Sequence, residues 1–224
     1  MADPLAEERI ASVLARARDL ERSHRESGQV PVHATWAALC SLIASCRLGE
    51  LTRDAELEVL YATEFTPLIR AAFGSVERYL RARLDFDDDP DCAGAYWTAT
   101  SQARVRVNDW GYSVPSDVEH FVVWVNQPLF HSSLCDDDDT SSTTRNTWRF
   151  VQDNGVSGLT PAPSQSDESS RGPGREIAKF VQTRWPVHDG YETAWFANPP
   201  RLQSVPGLAH FHVMVRKATS SALQ

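Results

Sequence analysis

The chain has 224 residues, 42% of them apolar, seven Trp and a formal net charge of −8. That length supports one well-buried core, and the absence of any run of about 18 apolar residues excludes an obvious membrane-spanning helix. The acidic balance is a poor match for a generic nucleic-acid binder, although much of it gathers in two clusters, Asp85 to Asp91 and Asp136 to Asp139, where solvated loops are expected.

The segment Met1 to Arg9 lacks the basic-then-apolar build of a secretory signal, so a cytoplasmic protein is expected. Cys40, Cys46, Cys92 and Cys135 form no CxxC pair and read as reduced structural thiols.

Residues 4–26 carry Leu5, Ile10, Val13, Leu14 and Leu20 at roughly helical spacing, with Gly28 as a stop. Thr35 is placed to cap a second helix through Trp36, Leu39, Leu42 and Ile43. A third helical segment covers about 52–72, with Pro67 as a break or a fresh start. Val76 to Leu84 follows as a short amphipathic helix. The period then changes. Ala103 to Val107 alternates as a strand does, Asn108-Asp109-Trp110-Gly111 favours a turn, and Val118 to Val125 fits a buried strand. Residues 132–174, rich in Ser, Thr, Asp, Gly and Pro, read as a flexible insertion interrupted by a short strand at Trp148 to Val151. A helix from Arg175 to Gln182 and strands near Thr193 to Phe196 and Ala209 to Val215 complete the chain. Helices first and strands later predict one α+β domain, with N-terminal helices packed on a mainly antiparallel sheet.

The densest chemistry lies in the last quarter. His188-Asp189-Gly190-Tyr191-Glu192 sets two carboxylates beside an imidazole, just before Trp195, Phe196 and Asn198. Paired carboxylates divide a proton-transfer task or grip a guanidinium; the same pattern also fits a polar turn between two core strands. His210 and His212 alternate on a strand and so share a face, a spacing compatible with metal binding. No local motif adds a third ligand to them, with His120, Asp109 and Asp189 the distant candidates, and no metal is expected.

Asn108-Asp109-Trp110, the run His120 to Trp124, Trp195-Phe196 with Asn198, and Leu202 to Val205 ending in His210-Phe211-His212-Val213 resemble one fungal family. It contains the N-acetylglucosamine-induced proteins and is related to the arginine-containing cyclodipeptide synthases. The resemblance spans about residues 33 to 217 without the insertion, and Trp195 to Val213 is its specific part. Along the synthase branch it implies an enzyme of secondary metabolism that needs no cofactor. Arginyl-tRNA and a second aminoacyl-tRNA would be its substrates and an arginine-containing diketopiperazine its product. Such synthases are associated with an acidic motif of two Asp, two free positions and a Glu. The closest match here runs from His188 to Glu192, with His188 where the first Asp belongs, which makes Asp189 and Glu192 the catalytic pair. Asn108, Asp109, Trp110, His120, Trp195, Asn198, His210 and His212 would line the pocket.

The chemistry is consistent with that implication. An aminoacyl ester is already activated, and no GxxxxGK[ST] pattern for ATP occurs. Amide formation needs a base for the amine and donors for the carbonyl, for which Asn108 and Asn198 are suited. Arg18, Arg22 and Arg25 share one helical face and are the expected tRNA phosphate contacts, though interspersed acids make an ordinary solvated helix the simpler reading. The rival function is a non-catalytic binding or regulatory protein of the N-acetylglucosamine-induced kind.

Overall fold

The computed structural model describes residues 3–86, 96–135, 147–161 and 172–218. Helix α1 spans Pro4–Glu26, opened by the Asp3 side chain, which accepts from the Leu5 N–H at 3.2 Å. Its buried stripe is Ile10, Val13 and Ala17. Helix α2 spans Trp36–Ala44, and Thr35 caps it as expected, accepting from the Ala38 N–H at 3.2 Å.

The third helical segment resolves into α3, Ala55–Leu60, a π turn over Tyr61–Phe65, and α4, Thr66–Phe73. Pro67 has no N–H for the carbonyl four residues back. The Thr66 N–H meanwhile reaches to the Tyr61 carbonyl, five residues back, so the helix widens without breaking. Ser75 caps α5, Val76–Leu84.

Five strands form one antiparallel sheet in the order β1-β2-β5-β4-β3. They are β1 Arg104–Val107, β2 Glu119–Trp124, β3 Val156–Thr160, β4 Tyr191–Ala197 and β5 His210–Lys217. The expected α+β architecture holds, with β2 and β5 as inner strands.

Directly opposed residues share a face, so the register sorts the side chains. Val123 opposes Phe211, and Trp195 opposes Val213. This face packs against Ile177, Ala178 and Val181 of α7, Arg175–Arg184, together with Val151. On the other face Val122 opposes His212, Trp124 opposes His210, and Phe196 opposes His212 from β4. Leu39 and Ile43 of α2 cover Ala194, Phe196 and Met214 there. Beside them stands a second helical core, Ile10, Val13, Ala17, Leu57, Leu60, Phe65 and Ile69, from α1, α3 and α4.

The reading of 132–174 as a flexible insertion needs correction within the described residues. Trp148–Asn154 is a helix, α6, rather than a strand, because the Thr147 hydroxyl caps it at the Phe150 N–H, 3.2 Å away. Val156–Thr160 is edge strand β3, paired along its length with β4. Its Ser and Gly look loop-like in isolation; the β4 partner supplies the order. Gly155 makes this junction. Its φ is +75°, and a Cβ there would lie 2.2 Å from the Ala197 carbonyl oxygen. Residues 136–146 and 162–171, with Asp136 to Asp139, and residues 87–95, with Asp87 to Asp91 and Cys92, lie outside the described residues.

Cys40 and Cys46 carry free thiols. Burial pushes the Cys40 thiol up to about 12, which keeps it protonated and unreactive. Among the described residues no helix is long and apolar enough to cross a membrane.

Candidate functional site

A cleft of about 740 Å³ lies between the sheet, helices α1 and α5 and the π turn. Its floor is the polar part of the second sheet face, with Val122, Trp124, His210 and His212. The π turn supplies one wall: Tyr61 and Phe65 both line it and pack on Trp110, with ring centroids 5.1 and 4.8 Å away.

Asn108-Asp109-Trp110, read as a site element, lines the cleft as a group. The Asn108 Oδ1 accepts the Trp110 N–H at 3.1 Å, closing a local turn after β1. This turns Asp109 toward α1. Arg18 donates to the Asp109 Oδ1 through both Nε and Nη2, at 3.0 and 2.7 Å. Arg53 fixes the same turn from the helical side. Its Nε donates to the Trp110 carbonyl at 3.0 Å, its Nη1 pairs with Glu58 at 2.6 Å, and its guanidinium lies 4.5 Å over the Tyr61 ring.

Glu21 is the residue the sequence reading missed. It lines the cleft from α1, close to Asp109 and Arg18. Burial raises its carboxyl above the usual range and the neighbouring Asp109 charge adds to this, opposed by Arg25, Arg18 and a hydrogen bond from the Gly111 backbone. In sequence Glu21 is one of several acids on an amphipathic helix. Only the tertiary approach of Gly111 separates it from them, since a Cβ there would lie 3.1 Å from the Glu21 Oε1.

Three imidazoles sit together on the sheet, His212 tilted against His120 and edge-on to His210. His120 lies behind the cleft wall, and its Nε2 is 3.0 Å from the His212 Nδ1. The Tyr112 N–H donates to the His120 Nδ1 at 3.1 Å, and the Tyr112 ring stacks on His120 at 5.1 Å. The His210 Nδ1 lies 2.8 Å from the Leu208 carbonyl. Burial drives the His120 ring down to about 3, with Arg53 adding to the effect. It likewise depresses His210, and His212 still further. All three are neutral at pH 7.

The carboxylate pair expected at Asp189 and Glu192 is not in this cleft. Asp189 ends an exposed turn at the start of β4, and Glu192 accepts from the Arg216 Nε at 2.7 Å. Arg216 also lies 4.9 Å over the Trp36 ring and 3.6 Å from Asp117. Glu192 is thus held in a structural ion-pair cluster under α2. Trp195 is a second correction. One-residue alternation along β4 turns it to the opposite face, where it is fully buried with Phe211 and Val213. Asn198 follows β4 and is buried, with no hydrogen-bond partner for its Oδ1 among the described residues, and it does not line the cleft.

The arginines of α1 separate. Arg18 lines the cleft, Arg22 pairs with Asp19 at 3.0 Å on the surface, and Arg25 donates to the Ser116 and Val118 carbonyls. Arg106 of β1 lines the cleft and has no carboxylate partner among the described residues. Among those residues no group of three or more His, Cys, Asp or Glu side chains is arranged to hold a metal ion.

No curated protein matches the chain. A solved crystal structure of a protein called HTC1 is similar in fold. It has a TM-score of 0.53 at 22% identity, covering 83% of this chain and 89% of that one. A family model for a protein of unknown function, DUF3605, matches residues 35–166 and 157–216. That region holds every cleft residue from the sheet and from the turn after β1, and α1 precedes it. The chain belongs to the DUF3605 family.

Proposed function

We propose that the cleft joins arginine to a second amino acid as a diketopiperazine, taking both from aminoacyl-tRNA. The observation that carries this reading is one cleft in which the carboxylates Glu21 and Asp109 face neutral imidazoles. A carboxylate pair suits a guanidinium. Asp109 already binds one, that of Arg18, through a single oxygen. Neutral imidazoles suit an aminoacyl ester, because they can accept a proton from the attacking amine or donate to the carbonyl. In each of two successive steps the amine nitrogen forms the C–N bond, the ester C–O bond breaks, and the terminal ribose oxygen leaves with a proton. Arg106 at the cleft suits the phosphates of a tRNA 3′ end better than Arg22 and Arg25, which are otherwise engaged, or Arg83, which pairs with Glu7.

The test is expression with an arginyl-tRNA supply and mass spectrometry for arginine-containing diketopiperazines. Glu21→Gln and Asp109→Asn should each lower product at least about tenfold, while Asp189→Asn leaves it intact. Absence of any such product with several partner amino acids overturns the reading.

A specific observation supports the rival, a non-catalytic ligand-binding protein. The acidic motif expected of a synthase lies outside the cleft, with Glu192 bound to Arg216. Thermal shift separates the two readings, because a ligand of the native state raises the melting temperature. Stabilisation by an amino sugar with indifference to arginine favours the rival.

A further inference from the structure

We propose that His210 and His212 are locked in opposite tautomers, so that the cleft floor presents an N–H donor from His212 beside a nitrogen lone pair from His210. The pair is then a two-point reader for a group offering a carbonyl oxygen and an N–H on one edge, as a cis amide or an α-aminoacyl group does. This recognition step rests on the cleft being the site of function; the tautomers themselves do not.

The tautomers follow from the partners. A backbone N–H can only donate, so the His120 Nδ1, 3.1 Å from the Tyr112 nitrogen, must hold a lone pair. Asn108 leaves this intact. Its Oδ1 is committed to the Trp110 N–H, so its amide nitrogen faces the His120 ring edge, at 3.5 and 3.4 Å from the two ring nitrogens. A neutral ring with a bare Nδ1 carries its proton on Nε2. That proton points to the His212 Nδ1, 3.0 Å away. The reverse arrangement would leave both His120 nitrogens bare, an imidazolate, which a buried site does not stabilise without a cation. The His212 Nδ1 is therefore the acceptor and its Nε2 carries the proton.

His210 obeys the opposite constraint. A carbonyl can only accept, so the bond of 2.8 Å to Leu208 places the proton on the His210 Nδ1 and the lone pair on Nε2. Both rings line the cleft, with centroids 5.5 Å apart. The relay from Tyr112 through His120 is fixed at its backbone end. It cannot shift a proton away from His212, so His212 acts as a donor and His210 is the proton acceptor. His120 is a positioning residue.

The experiment is ¹⁵N NMR of the full chain labelled at histidine, at pH 7. The expected spectrum has pyrrole-type nitrogens at the His212 Nε2 and the His210 Nδ1, and pyridine-type nitrogens at the other two. The reverse tautomer at either residue overturns the proposal. In His120→Phe the His212 tautomer should become a mixture, and an unchanged His212 signal removes the positioning role. Should that variant fail to fold, the wild-type spectrum still decides the tautomers. For recognition, 2,5-diketopiperazine should move both Nε2 signals, and its N,N′-dimethyl derivative, which lacks the N–H, should bind at least about tenfold more weakly. Equal binding of the two, or no binding of either, overturns the recognition. A negative synthesis assay alongside the expected spectrum overturns the proposed reaction and leaves the tautomers standing.

Discussion

The two faces of the sheet are built from the same strands by one-residue alternation, and they do opposite things. Toward α7, Val123, Trp195, Phe211 and Val213 interlock with Ile177, Ala178 and Val181 in an apolar core. Toward α1, α5 and the π turn, the same strands present Trp124, His210 and His212 to a cleft, with His120 behind them. An apolar face gains stability with each buried atom. Burying imidazoles costs desolvation unless each nitrogen has a partner. Here Tyr112, Leu208 and the His120–His212 contact provide partners for both His120 nitrogens and for the Nδ1 atoms of His210 and His212, and the two remaining Nε2 atoms are left to the cleft.

Emptying the apolar face tests the contrast most strongly. Phe211 is fully buried on β5, and its ring packs on Trp97 and Phe180 at 5.4 and 5.7 Å. Phe211→Ala is expected to lose about 3–5 kcal/mol, read by urea denaturation. Asp109→Asn on the other face should change stability by about 1 kcal/mol or less, because its pair with Arg18 is largely solvent-exposed. Comparable losses at the two positions would erase the distinction.

The histidine face has a signature in pH. Burial depresses His33, His120, His210 and His212. Between the folded and unfolded values the unfolded chain binds more protons, so stability falls as pH drops below about 6.5. Each fully buried ring should contribute roughly 1.4 kcal/mol per pH unit in that window; for His120 it extends down to about 3. Glu21 works in the opposite sense, since its raised carboxyl takes up a proton more readily when folded. Four rings outweigh one carboxyl. Urea midpoints should therefore fall between pH 6.5 and 5, and less steeply in His120→Phe. A midpoint constant over that range would mean that the rings are not held neutral.

How much of this the sequence disclosed follows the same division. Helical spacing and a cap place α1 and α2 because those signals are local: the Thr35 cap, and Ile10 and Val13 in the stripe of α1. The two runs that form β2 and β5 are apolar enough to be read as inner strands. The turn Asn108 to Trp110 and the alternation of His210 and His212 also led to the cleft. Non-local features were illegible. Glu21 differs from Glu7 or Glu8 only through Gly111, ninety positions later in the chain. Asp189 and Glu192 looked paired because they are close in sequence, yet Arg216 claims Glu192 across β4 and β5. Strand β3 takes its order from β4, a partner that the Ser and Gly of β3 do not announce.

Gly155 offers a middle-sized test of that last point. Gly155→Ala meets both a positive φ and the Ala197 carbonyl, and a non-glycine residue in such backbone costs of order 1–3 kcal/mol. Hydrogen exchange should speed first in β3 and α6, ahead of β2 and β5. Uniform acceleration across the sheet would show that β3 is not a separable edge.

The smallest expected effect concerns α1. Among the described residues Arg22 is solvent-exposed and pairs only with Asp19 on its own helix, while Arg18 and Arg25 bridge to the turn after β1 and to the segment preceding β2. Arg22→Gln should thus change stability by no more than about 0.5 kcal/mol, and Arg25→Gln by more, since it frees the Ser116 and Val118 carbonyls. If tRNA approaches along α1, each lost phosphate contact lowers the slope of log affinity against log salt by about 0.7 to 0.9. An approach across the cleft mouth leaves that slope unchanged in Arg22→Gln and lowers it in Arg106→Gln. Filter binding of tRNA to both variants at several salt concentrations separates the two paths. A reduced slope in Arg22→Gln alone would return the helix surface to the role that its sequence first offered.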